Sequence, residues 1–98
     1  MLKKSYSSTK NFCRVTFRVP AEFGAKTASL CSDFNNWDTE ANVMRPLKNG
    51  GFSTTVSLAA KQSYRFRYFL DNERWENDDA ADRYVTNDYG SEDSVVEL

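Results

Sequence analysis

Three stretches of this chain alternate apolar and polar residues with a period of two, and that pattern leaves little choice of fold. In 12–19, Cys13, Val15, Phe17 and Val19 point one way and Arg14, Thr16 and Arg18 the other. In 52–58, Phe52, Thr54, Val56 and Leu58 alternate with Ser53, Thr55 and Ser57. In 64–70, Tyr64, Phe66, Tyr68 and Leu70 alternate with Arg65, Arg67 and Phe69. Successive side chains of a strand leave opposite faces, so each stretch reads as a strand with one face on a core. Pro20 stops the first, and residues 22–26 turn the chain into another strand over 27–32. Met44 and Leu47 flank Pro46 as a short edge piece. Asn49-Gly50-Gly51, 59–62 and 71–74 supply turns. Residues 76–82 read as a solvated acidic loop, 84–86 as a brief strand, 87–90 as a turn and 94–98 as a closing strand. No segment has a helical period. Short strands separated by turn signals predict one all-β sandwich domain over residues 11–98. Residues 1–10, polar and rich in Ser and Lys, are expected to form a flexible tail.

Composition removes several functional classes. Thirteen basic residues against 14 acidic ones leave a net charge of −1, which opposes nucleic-acid binding. No apolar run approaches the ~18 residues of a membrane span. The N-terminus is basic but lacks an apolar stretch after it, so it is not a signal peptide, and a cytoplasmic location is expected. Cys13 and Cys31 are then reduced thiols, close to one another only if their strands pair. There is no histidine, which excludes Ser-His and Cys-His nucleophiles, and two separated cysteines make no zinc site. No metal and no cofactor are expected. Asp78 and Asp79, adjacent in an acidic loop, do not provide opposed carboxylates ~5–9 Å apart across a glycosidic bond. The chain is therefore not read as an enzyme.

The stretch Cys31-Ser32-Asp33-Phe34-Asn35-Asn36-Trp37 carries the functional reading. Asn tolerates positive φ and bonds its own backbone, so the two asparagines turn the chain at a strand end. Trp37 just past that turn is expected to offer its indole to a ligand with the N–H free, and Phe34 to anchor the corner. A second tryptophan, Trp75, follows a second turn. An electron-rich indole face suits the C–H face of a sugar ring, while Arg, Asn, Asp and Ser nearby meet the hydroxyls. Arg67 and the loop 87–93 are the nearby candidates.

Phe34-Asn35-Asn36-Trp37, then Phe66-Arg67-Tyr68-Phe69-Leu70-Asp71 leading to Trp75, then Val85-Thr86-Asn87-Asp88-Tyr89-Gly90-Ser91-Glu92-Asp93-Ser94-Val95-Val96 resembles the glycogen-binding domain of AMP-activated protein kinase β-subunits. It is similar also to the isoamylase N-terminal, or early-set, domains of carbohydrate-binding module family 48. The resemblance runs from about Phe12 onward. It implies an immunoglobulin-like β-sandwich that binds α-1,4-glucan, glycogen- or starch-like, without cleaving it. Trp37 and Trp75 match the stacking tryptophans, and Arg67 a lysine that bonds hydroxyls. Tyr89 stands where the family has a leucine pressed on the glucan. Ser91 and Asp93 stand where a threonine and an asparagine contact hydroxyls. Arg for Lys alters geometry, and Asp for Asn loses the amide donors. Asn72 replaces a turn glycine, with one extra residue before Trp75. The resemblance also implies a partner, a glucan-metabolising enzyme or a kinase.

Two rival readings stand beside this one. In the first, the exposed aromatics anchor a protein–protein interaction or the sandwich is simply structural. In the second, single-stranded nucleic acid stacks on the aromatics beside Arg65 and Arg67, against the acidic balance.

Overall fold

A computed structural model describes residues 2–98. Among the described residues, nine strands form two sheets, and the only helical pieces are single turns. The strands are β1 (Leu2–Tyr6), β2 (Phe12–Val19), β3 (Ala28–Ser32), β4 (Arg45–Pro46), β5 (Phe52–Ala59), β6 (Ser63–Leu70), β7 (Arg74–Glu76), β8 (Arg83–Thr86) and β9 (Glu92–Glu97). The first sheet has the order β1-β2-β5-β4 and the second β3-β6-β9-β8, every pair antiparallel. The architecture is an all-β sandwich of two antiparallel sheets, as the alternation predicts, and it has the early-set, immunoglobulin-like form that the resemblance implies.

The core is what the period of two encodes. Cys13, Val15, Phe17 and Val19 of β2 are buried and face Phe66, Tyr68 and Leu70 of β6. Phe17 and Phe66 meet edge to face across the two sheets, ring centroids 5.0 Å apart. Burying a side chain of this size stabilises the fold by about 1.5–3 kcal/mol. Gly51 has a fixed reason: a Cβ there would sit 2.6 Å from the Val19 carbonyl oxygen. The free edge of β3 is covered by residues 42–44, through Leu30 N–H to the Asn42 carbonyl and Met44 N–H to the Ala28 carbonyl.

The flexible tail expected over 1–10 is corrected in part. Met1 lies outside the described residues, but Leu2–Tyr6 form β1 and pair with β2, Leu2 opposite Phe17 and Tyr6 opposite Cys13. Two side chains anchor the strand beyond this ladder. Leu2 packs on the core, and the Lys4 ammonium reaches the Asp82 carboxylate at 2.6 Å and the Glu97 carbonyl at 2.9 Å. The 76–82 loop is also corrected at one residue. Asp78 is buried and accepts the Tyr68 hydroxyl at 2.7 Å, and its N–H donates to the Ser94 hydroxyl. Cys13 and Cys31 lie on strands of different sheets and are free thiols.

β7 pairs with the C-terminal half of β6, on the edge that β9 occupies along the N-terminal half. That shared edge positions the site.

Candidate functional site

The second sheet turns Tyr64, Phe66, Tyr68 and Leu70 to the core, so the intervening residues of β6 face outward. Register fixes their neighbours: Arg65 lies opposite Val95, Arg67 opposite Cys31 and Phe69 opposite Trp75. Asp93 lies on the same face, two residues from Val95 along β9. Beneath them Cys31 is buried, and desolvation, then the nearby Asp38 charge, pushes its thiol up to about 11.

Trp75 reaches this face through a turn with positive φ at Asp71 and Asn72, 55° and 56°. This is the pattern of a type I′ turn, which Asp and Asn tolerate. Asp71 ties the turn down by accepting the N–H groups of Lys26 at 2.6 Å and Thr27 at 3.0 Å. Those two bonds, Lys26 first, hold its carboxyl below the usual range. Asn72 and the extra residue thus leave Trp75 on the outer face. Its ring packs on Phe69 at 4.5 Å between centroids, lies 5.8 Å from the Arg67 guanidinium carbon, and stays 39% exposed. The Arg67 Nε is buried without a hydrogen-bond partner among the described residues.

Trp37 comes from the opposite side. After β3 the chain makes one tight turn, Asp33–Asn35. Asn35 braces it, its amide nitrogen donating to the Leu30 carbonyl and its oxygen accepting Ser32 N–H. Asn36 and Trp37 both adopt positive φ, 57° and 58°. That is a rare conformation for a residue as large as Trp. Trp37 N–H bonds the Ser32 carbonyl at 2.9 Å. The indole N–H, expected to be free, is engaged instead: it donates to Asp33 Oδ1 at 3.2 Å. Asp33 Oδ2 accepts the backbone N–H of Arg65 at 2.9 Å. One carboxylate therefore clamps the indole to β6. Phe34 anchors the corner, half-buried and edge-on to Tyr64.

Between these rings lies an open cleft of about 650 Å³. Trp37 and Trp75 both line it, with Arg65 and Arg67 on its floor strand. The β8–β9 hairpin forms the third side through Asn87, Asp88, Tyr89 and Asp93. Asn87 organises that hairpin: its side-chain oxygen accepts the N–H groups of Tyr89 and Ser91, and its amide donates to the Ser91 hydroxyl and Asp93. Tyr89 at the tip is 93% exposed. Asp93 is buried, 3.9 Å from Arg65.

A family model described as carbohydrate-binding module 48 (isoamylase N-terminal domain) matches residues 5–90. The chain belongs to carbohydrate-binding module family 48. No curated protein matches the chain. A family 48 module is a carbohydrate-binding, non-catalytic type of domain. Among the described residues, no helix is long and apolar enough to cross a membrane.

Of the six residues singled out in the sequence, five line the one cleft: Trp37, Arg67, Trp75, Tyr89 and Asp93. Ser91 does not; its hydroxyl is engaged with Asn87. Asp33 and Arg65 join the cleft without having been singled out as site residues. The strand period places Arg65 beside Arg67, whereas the bond from Trp37 to Asp33 needs the turn to be seen.

Proposed function

We propose that this family 48 module binds α-1,4-glucan, glycogen- or starch-like, and does not cleave it. The reading is carried by one observation, that the indoles of Trp37 and Trp75 open into a single cleft on the outer face of one sheet. Glucose rings stack on the two indoles, burying C–H faces against apolar, electron-rich surface. The Arg67 guanidinium meets hydroxyls, and Asp93 and Asp88 accept from them. Tyr89 closes the rim. Ser91 supports the hairpin through Asn87 and does not touch sugar. An open, shallow platform and a flexible ligand make binding weak. In this role the module tethers a partner, a glucan-metabolising enzyme or a kinase, to the polymer.

Titration with maltoheptaose and β-cyclodextrin, followed by indole fluorescence, tests the reading. Millimolar sugar shifts the emission, and Trp37→Ala abolishes the shift; no change at millimolar sugar removes the proposal. A second reading, a protein-interaction domain, draws on the exposure of Tyr89. It predicts concentration-dependent sedimentation that Tyr89→Ala suppresses.

A further inference from the structure

The sheet on the far side of the sandwich from the cleft contains no acid. None of the 14 acidic residues of the chain lies in β1, β2, β4 or β5. Cys13, Val15, Phe17 and Val19 face the core, so the alternate residues of β2 lie on the outer face with their partners, of which Ser53 is covered. Lys3 lies opposite Thr16, Arg14 opposite Ser57, and both Arg18 and Arg45 opposite Ser53. The Thr16 and Thr55 hydroxyls bond one another at 2.9 Å between them. Lys3, Arg14, Arg18 and Arg45 are all exposed. None of the four joins an ion pair among the described residues, where the pairs are Lys4–Asp82, Arg65–Asp93, Arg74–Glu76 and Arg83–Glu97. A soluble surface ordinarily intersperses the two signs. Here a chain of net charge −1 keeps the strands of one sheet free of acids.

We propose that this face docks an acidic patch on a protein partner. Arg14 and Arg18 are four residues apart on one strand, about 13 Å, and Arg45 is two strands from Arg18, about 10 Å. Cations so spread do not converge on a single anion; they match carboxylates distributed over a surface. The acidic balance of the chain, pI ≈ 5.4, opposes a dense polyanion such as nucleic acid or an anionic membrane. A partner's acidic patch is felt mainly within the screening length of ~8 Å, where this face alone meets it. The molecule measures 38 × 35 Å across its two longest axes, room for the ~800 Å² that a standard interface takes from each partner. The cleft lies on the other sheet, so both surfaces can be occupied together. This inference does not depend on what the cleft binds.

The test is an amide-resonance titration with a short peptide in which Glu is spaced by Gly and Ser, at low salt. Shifts cluster on β2, β4 and β5 and fade as salt is raised. Combining Arg14→Glu, Arg18→Glu and Arg45→Glu weakens the peptide by at least about tenfold, because like charges now face one another. The same variant leaves the response to maltoheptaose unchanged. The Gln versions at these positions serve if the charge reversals do not fold. Peptide shifts on the cleft or scattered over the domain overturn the proposal. So does tighter binding, at this face, of a single-stranded DNA oligonucleotide or of vesicles containing anionic phospholipid.

Discussion

Removing the carboxylate in Asp33→Ala tests how the cleft is held ready. Two hydrogen bonds vanish, from the Trp37 indole at 3.2 Å and from Arg65 N–H at 2.9 Å. Both sit in exposed surroundings, so each contributes at the lower part of the usual ~0.5–1.5 kcal/mol. Stability is expected to fall by about 1–2 kcal/mol. The second effect is local. Trp37 at φ 58° occupies a region that costs an L-residue about 1–2 kcal/mol. The Asp33 clamp is of similar size, so without it other orientations of Trp37 become comparably populated. If the binding-ready fraction drops to between a half and a tenth, the apparent affinity for maltoheptaose drops about two- to tenfold. Asp33→Asn falls between, because its amide oxygen keeps one acceptor while its NH₂ opposes the second donor. Calorimetric titration gives the affinity, and the Trp37 Nε1–H resonance reports the clamp without sugar. That resonance is expected to move and to exchange faster with solvent in Asp33→Ala. An unmoved resonance together with wild-type affinity would refute the reasoning.

Three further perturbations follow the same logic. Asp71 has a depressed carboxyl pKa, so the stability it contributes is fully present above its unfolded value, ~3.9, and lost as pH falls through the folded one. The stability gap between wild type and Asp71→Asn is therefore expected to be constant near neutrality and to close below about pH 4, read as urea midpoints across pH; a gap that persists in acid contradicts it. Tyr68→Phe removes a buried hydrogen bond to Asp78 and is expected to cost about 1.5–3 kcal/mol in denaturant unfolding. Burial first, then the Asp78 charge, pushes the Tyr68 hydroxyl well above its ordinary value, so tyrosinate absorbance from Tyr68 appears only as the fold opens in alkali. Deleting residues 1–6 removes the β1 ladder, Leu2 packing and the Lys4–Asp82 pair, and is expected to lower stability by about 2–3 kcal/mol; an unchanged midpoint means the strand contributes nothing.

Period-two alternation made β2, β5 and β6 legible, because one buried face writes itself into every second residue. Phe17, Phe66, Tyr68 and Leu70 are core for that reason. β1 was hidden because Lys3, Lys4 and Ser5 look like a solvated tail, and the partners that order the strand, Phe17 and Asp82, are remote in sequence. Asp78 was hidden likewise: an acid in an acidic run reads as solvated, and its buried place depends on Tyr68 and Ser94 from other strands. At the cleft, the residue types in 31–37 and at Trp75 pointed to paired rings, and the strand period placed Arg67. The occupied indole N–H was not legible, because Asp33 and Trp37 meet only once Asn36 and Trp37 have both turned to positive φ. That Ser91 bonds Asn87 and does not line the cleft was not legible either, because it depends on how the 87–91 turn closes.

The most direct measurement is an intermolecular proton contact map of the domain with maltoheptaose bound. The account predicts that C–H protons of glucose units contact the ring protons of both Trp37 and Trp75 in one bound chain, with Arg67 side-chain resonances shifting alongside. Sugar that touches neither ring, or that is held elsewhere on the domain while both indoles stay unperturbed, would contradict it.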